Sequence, residues 1–215
     1  MRLFLSSQDF GNYPEALIEL IGDNTKTAFI NNAKDDYSVE DRTEKTEAKK
    51  HILHQVGLEV HELDLRSYFG SPKKLQTDLS DFGLVWTAGG NSFILRRAMK
   101  ASGLDKVLKK RLADDSIVYG GFSAGACVTA PSLHGIEYGD RPQPDVVPSN
   151  YPIKETVWEG LGLVKFMVVP HYKSDWFGEE ADKSIEYFKQ HKIPYRPLKD
   201  GQVIVIEGDN EEFLK

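Results

Sequence analysis

Gly121-Phe122-Ser123-Ala124-Gly125 sets a serine two positions from a glycine on each side. A short apolar run with β-branched residues, Ile117-Val118-Tyr119, precedes it, and small helix-compatible residues, Ala126-Cys127-Val128, follow. Strand, sharp turn and helix in that order are the context of the G-x-S-x-G nucleophile elbow. The glycines have a steric purpose, because in so tight a turn a side chain at either position would collide with neighbouring backbone. At the apex, Ser123 is expected to have an exposed hydroxyl and a strained backbone. The Ala124 amide, opening the helix, is expected to point where an oxyanion would form. The plainer alternative is a glycine-rich turn whose serine caps the helix. The flanking strand and helix favour the nucleophile.

A serine hydroxyl is a weak nucleophile until a base takes its proton, and the usual base is a histidine oriented by a carboxylate. His51 and His54 fall on a charged helical stretch, His61 lies mid-strand, and His191 sits at a lysine-flanked helix end. His134 lies in a proline-rich segment and stays open. His171 directly follows a buried apolar strand and Pro170, which makes it the favoured base. The carboxylate is not settled by position. Downstream of His171 stand Asp175, Asp200, Glu207 and Asp209; upstream stand Glu137, Asp140 and Asp145. The order serine, acid, histidine of α/β-hydrolases favours Asp140 or Asp145, whereas turn chemistry alone accounts for Asp200 in Lys199-Asp200-Gly201.

These residues need a frame. Strands are expected at 3–6, 27–30, 58–63 and 82–87, before the elbow strand, and at 165–169 after it. Helices are expected at 14–21, 40–56, from 92 to about 99, at 104–112 and at 179–190. Such alternation calls for an α/β fold with a mainly parallel sheet covered by helices on both faces. Ligand sites in these sheets lie at the carboxyl ends of the strands. Both glycine turns, Gly89-Gly90 and Gly121 to Gly125, fall at such ends. Residues 131–152 read as an irregular proline-rich loop over the site. A C-terminal β-hairpin is expected, with segments 194–198 and 202–206 flanking Lys199-Asp200-Gly201.

The 215 residues suit one domain with a well-buried core; hydrophobic content is 40%, charged content 28%, and net charge −6. The short basic runs Lys49-Lys50 and Lys109-Lys110-Arg111 read as solvated helix faces, so nucleic acid is not an expected partner. The single cysteine excludes an internal disulfide and a cysteine-based zinc site. No metal or cofactor is expected. The apolar run at residues 3–5 is too short for a signal peptide, and no stretch suits a membrane span, so cytoplasmic residence is the default expectation. Composition leaves the oligomeric state open.

Thr87-Ala88-Gly89-Gly90-Asn91-Ser92-Phe93, Gly121-Phe122-Ser123-Ala124-Gly125-Ala126 and Pro170-His171-Tyr172 together resemble the aspartyl dipeptidase (peptidase E) and cyanophycinase family. That family has the class I glutamine amidotransferase-like α/β fold, also described as flavodoxin-like. The resemblance covers nearly the whole chain and implies Ser123 as nucleophile and His171 as base. Leu198-Lys199-Asp200-Gly201 resembles the family's acid-bearing pattern with Asp in place of Glu, and so implies Asp200 as the acid. It also implies Gly90 as a second oxyanion donor beside Ala124. Asn91, Asp140 and Lys173 are the candidate substrate contacts. Residues 172–177 differ from the dipeptidase's segment, so the resemblance does not carry over a strict preference for N-terminal aspartate. Cys127 lies one helical turn past Ser123, away from the apex, and reads as a packed thiol. The expected function is a serine peptidase acting on short peptides. An esterase built from the same parts and a catalytically silent binding module are the alternatives.

Overall fold

Alternate residues of the early strands go to opposite cores. Leu3, Leu5, Ala28, Ile30, Val85 and Tyr119 join one apolar cluster, while Phe4, Phe29, Leu84, Trp86 and Val118 join another. A period of two with both sets buried is the signature of a sheet covered on both faces. The computed structural model describes residues 1–139 and 144–215. Its chain runs through β1 (Arg2–Ser6), α1 (Pro14–Ile21), β2 (Lys26–Ile30), a short 3₁₀ turn (Asn32–Lys34) and α2 (Val39–Gln55). Next come β3 (Glu59–Glu62), a second 3₁₀ turn (Leu65–Tyr68), α3 (Pro72–Asp78), β4 (Leu84–Thr87), α4 (Ser92–Ser102) and α5 (Leu104–Ala113). The elbow follows as β5 (Val118–Phe122) and α6 (Ala124–Cys127), and the chain closes with β6 (Met167–Val169), α7 (Gly178–Gln190), β7 (Tyr195–Pro197), β8 (Val203–Glu207) and β9 (Asn210–Leu214).

The main sheet has seven strands in the order β3-β2-β4-β5-β1-β8-β9. The first five of these pair in parallel, and β8 and β9 add an antiparallel edge. Helices α1 and α2 cover one face through Leu17, Leu20, Ile21 and Leu53. The remaining helices cover the other, with Phe93 and Met99 of α4 and Phe188 of α7 fully buried. The fold is thus the α/β architecture with a mainly parallel sheet that the alternation of elements implies. Among the described residues no helix is long and apolar enough to cross a membrane.

The C-terminal hairpin exists, but not where the Asp-Gly signal points. Lys199-Asp200-Gly201 joins two different sheets. β7 pairs in parallel with β6 in a separate two-stranded sheet, and β8 pairs with β1 and β9. Pro194 and Pro197 explain the exclusion of β7 from the main sheet, since proline cannot donate to a ladder and suits only edges. The hairpin turn is instead Gly208-Asp209, between Glu207 and Asn210, with Gly208 at φ +61° opening the turn. The connection after β3 is also more ordered than its polar sequence suggests, for it carries the second 3₁₀ turn and α3.

At the elbow the expected crowding is observed. A Cβ on Gly125 would lie 2.3 Å from the Thr87 carbonyl oxygen, and one on Gly121 would lie 2.8 Å from the backbone of Gly125. Neither neighbour can yield, because both are backbone in packed elements. Gly125→Ala is therefore expected to destabilise the protein by about 1–3 kcal/mol, with Tm falling about 2–4 °C per kcal/mol. A thermal melt of that variant superimposing on the wild type would show slack at the elbow.

Candidate active site

Ser123 stands between β5 and α6 at φ +50° and ψ −116°, a region that strains any residue with a Cβ. The strain is held on both sides. Its amide donates to the Ser6 carbonyl at 3.1 Å, and its carbonyl accepts the Ala126 and Cys127 amides at 2.9 Å. The Ala124 amide is the first of α6 and so has no intrahelical acceptor. Opposite, Gly89 packs so closely that a Cβ on it would lie 3.0 Å from the Ser123 Cβ. Gly90, at φ +144°, backs onto Ala33, whose carbonyl oxygen would be 2.4 Å from an added Cβ. Only glycine fits there. Gly90, Ser123, Ala124 and His171 border one cavity of about 350 Å³.

His171 arrives from the small sheet. β6 ends at Val169, Pro170 follows, and His171 adopts φ +59°. The pairing with the chain after β7 continues past the strands, through Leu198 N–H to Val169 C=O at 2.8 Å and Tyr172 N–H to Leu198 C=O at 2.9 Å. This brings residues 171 and 200 together. His171 Nε2 lies 3.0 Å from Ser123 Oγ, and His171 Nδ1 lies 2.7 Å from Asp200 Oδ1. Ser7, just past β1, joins the three. Its hydroxyl donates to Asp200 Oδ1 at 2.7 Å and accepts the His171 amide, also at 2.7 Å. Trp176 donates from Nε1 to Asp200 Oδ2 at 3.2 Å, and its ring lies 4.4 Å from that of His171.

Burial lowers the His171 pKa below its ordinary value, and the Asp200 carboxylate pulls only part of it back. For Asp200, burial alone would raise the pKa. Hydrogen bonds from Ser7, His171 and Trp176 and the His171 charge outweigh it and hold the group below the usual carboxylate range. The arrangement is a neutral imidazole between an ionised carboxylate and a serine hydroxyl. It can withdraw a proton from Ser123 as an oxygen–carbon bond forms.

Asn91 caps α4, its Oδ1 accepting the Phe93 and Ile94 amides at 2.9 and 3.0 Å, and it is 1% exposed. Its side-chain oxygen is thereby committed to the helix, and the residue does not border the cavity. Lys173 is solvent-exposed, at φ +60°, with its ammonium over the Tyr172 ring. Asp140 lies outside the described residues. Asp145 is exposed, and His134 stacks on Trp158. Cys127 is buried, with its thiol against the Val168 carbonyl. Residues 133–139 and 144–152 are irregular, and Ile136 and Gly139 among them border the cavity.

Three residues around the site were not foreseen: Ser7, Trp176 and Lys34. Ser7 had a usable signal, since it directly follows the carboxyl end of a strand, where such sheets gather their sites. Trp176 stands in the segment that departs from the family pattern. Lys34 borders the cavity from the turn after β2.

The model of peptidase family S51 matches residues 3–214. An uncharacterized peptidase of Listeria monocytogenes is 33% identical over 172 residues, 80% of this chain and 78% of the relative. Peptidase E of Streptomyces coelicolor is 29% identical over 179 residues, 80% of this chain and 66% of that protein. The 1.5 Å crystal structure of a Listeria monocytogenes EGD-e protein assigned to peptidase E has 28% identity and a TM-score of 0.78, with 99% of this chain and 96% of that chain covered.

Proposed function

We propose, from the premise that the chain belongs to peptidase family S51 and is a serine peptidase, that it hydrolyses short peptides through an acyl-enzyme on Ser123. The observation that carries this reading is the continuous line from Ser123 Oγ through His171 to Asp200, with links of 3.0 and 2.7 Å. Ser123 Oγ attacks the scissile carbonyl carbon while His171 Nε2 takes its proton. The negative charge gathers on the carbonyl oxygen, which the Ala124 and Gly90 amides receive. As the carbon–nitrogen bond breaks, His171 returns the proton to the leaving amine. Water then repeats the sequence on the ester, releasing the acid and restoring Ser123. Asp200 keeps the Nδ1 proton in place and stabilises the imidazolium. The dipeptidase naming of relatives such as the probable alpha-aspartyl dipeptidase of Drosophila melanogaster and the modest cavity both favour short substrates.

A fluorophosphonate probe followed by peptide mapping tests the nucleophile. Label is expected on Ser123 of the folded protein, and its absence there would favour a silent binding module. Dipeptides varied at the first residue, run beside simple esters, then separate a peptidase from an esterase. The pH dependence has a definite sign. The base acts when neutral, so kcat/KM rises with pH through the His171 pKa. Burial sets that pKa below its ordinary value, so the acidic limb is expected below the ordinary histidine range. A midpoint above pH 7, with chemistry rate-limiting, would contradict a buried histidine base.

A further inference from the structure

We propose that Lys34 is a positioning residue for the oxyanion site, gripping the Gly89 carbonyl and so aiming and strengthening the Gly90 amide at the other end of the same peptide. This rests on the acyl-enzyme reading and on Gly90 as an oxyanion donor. A planar trans peptide fixes its N–H antiparallel to its C=O, so a group that holds the Gly89 oxygen also sets the direction of the Gly90 N–H. The Lys34 ammonium donates to that oxygen and, at 3.0 Å, to Asn31 Oδ1.

The donor is itself held in place. Asn31 Nδ2 donates to Thr46 Oγ1 at 2.8 Å, and the Thr46 hydroxyl donates to the Arg42 carbonyl in α2 at 2.7 Å. The Asn31 oxygen must therefore face Lys34. Asn31, Thr46 and Lys34 are all buried. The same turn braces the other side of the peptide, for Ala33 carbonyl accepts the Asn91 amide at 2.7 Å and crowds Gly90. Both hydrogen-bond acceptors of Lys34 among the described residues are neutral. Burying an ammonium against neutral oxygens is costly, and stability alone gives no reason to keep it. A cation on a carbonyl polarises the whole amide and makes its N–H a stronger donor, which is what an oxyanion site requires.

The charge is conditional on pH. Lys34 is surrounded by Arg42, Lys45 and Lys49 of α2, by Asp9 from the segment after β1, and by Asp35 and Asp36 of its own turn. His171 and Glu180 line the same cavity. Burial first, then Lys49, Lys45 and Arg42, bring its pKa down to about 8, with Asp9 opposing. Above that pH the ammonium charge is lost, and with it most of the polarisation of the Gly89–Gly90 peptide.

The test follows the rate at which an uncharged fluorophosphonate labels Ser123 between about pH 5 and pH 10, in the wild type and in Lys34→Met, with folding checked by thermal melts. The probe places an oxygen in the oxyanion site but carries no carboxylate, so a role in holding an acidic substrate cannot affect it. Wild-type labelling is expected to rise through the His171 limb and fall again above about pH 8. Lys34→Met is expected to label about 10-fold more slowly at pH 7 and to lack the basic fall. Equal rates in the two proteins, or a basic limb that survives in Lys34→Met, would overturn the proposal. So would a wild-type rate without a basic limb, a result needing no variant to fold. Absence of Ser123 labelling at every pH would instead overturn the acyl-enzyme reading beneath it.

Discussion

Ser123→Ala protein is expected to fold like the wild type and to turn over peptides at least about 10⁴-fold more slowly. Among the described residues the hydroxyl makes its hydrogen bond only to His171, and the elbow is held by backbone bonds that alanine keeps. Ser123→Gly sharpens the test. At φ +50° and ψ −116° a Cβ costs on the order of 1–3 kcal/mol, and glycine removes that cost. Against this stands the extra entropy of glycine in the unfolded chain, about 0.5–1 kcal/mol. The glycine variant should therefore be as inactive as the alanine variant yet melt at or above the wild-type temperature. Peptidase activity persisting in pure Ser123→Ala would remove Ser123 as nucleophile. A marked drop in Tm for Ser123→Gly would show that the turn is not strained.

Asp200→Asn should cost up to about 10⁴-fold in kcat with little change in fold. The carboxylate accepts from three donors: His171 and Ser7 at Oδ1, and Trp176 at Oδ2. An asparagine can accept on one side only. Its NH₂ must face either the Trp176 N–H or the Ser7 and His171 side, and the second arrangement pushes the imidazole into the wrong tautomer. In both arrangements the charge that stabilises the imidazolium is gone. Asp200 also contributes stability as a carboxylate with a depressed pKa. That contribution is present above its unfolded pKa and is lost as the pH falls through the folded value. Steady-state kinetics with the pH profile of the variant decide the matter, and a kcat within a few-fold of wild type would exclude Asp200 as the orienting acid.

How much of this was legible depended on how local each cause is. The elbow was readable because strand, glycines and helix lie within a dozen residues, and the crowding at Gly121 and Gly125 follows from that spacing alone. The burial of Leu3, Phe4 and Leu5 was equally open, since an unbroken apolar run is what a strand covered on both faces presents. Lys199-Asp200-Gly201 misled because a hairpin signal states only that a chain turns, not which strands it will join. Pro194 and Pro197 settled that question by barring their segment from the main sheet. Ser7 meets Asp200 across 193 positions of sequence, and Lys34 meets Gly89 across 55. In the linear chain one is a serine after a strand and the other a lysine in a polar loop. Their partners exist only once the sheet has formed.

The division into two sheets makes the alignment of the site depend on how one sheet is seated against the other. Ser123 belongs to the large sheet, while His171 and Asp200 are fastened to each other past the ends of β6 and β7. Ser7 extends β1, the strand beside the one that carries Ser123, and its hydroxyl holds both the His171 amide and the Asp200 carboxylate. It works as a rivet between two plates. Ser7→Ala is expected to loosen both the gap of 3.0 Å between histidine and serine and the seat of the Asp200 carboxylate. The spacing of histidine and serine thus depends in part on a joint that lies outside the line from Ser123 to Asp200.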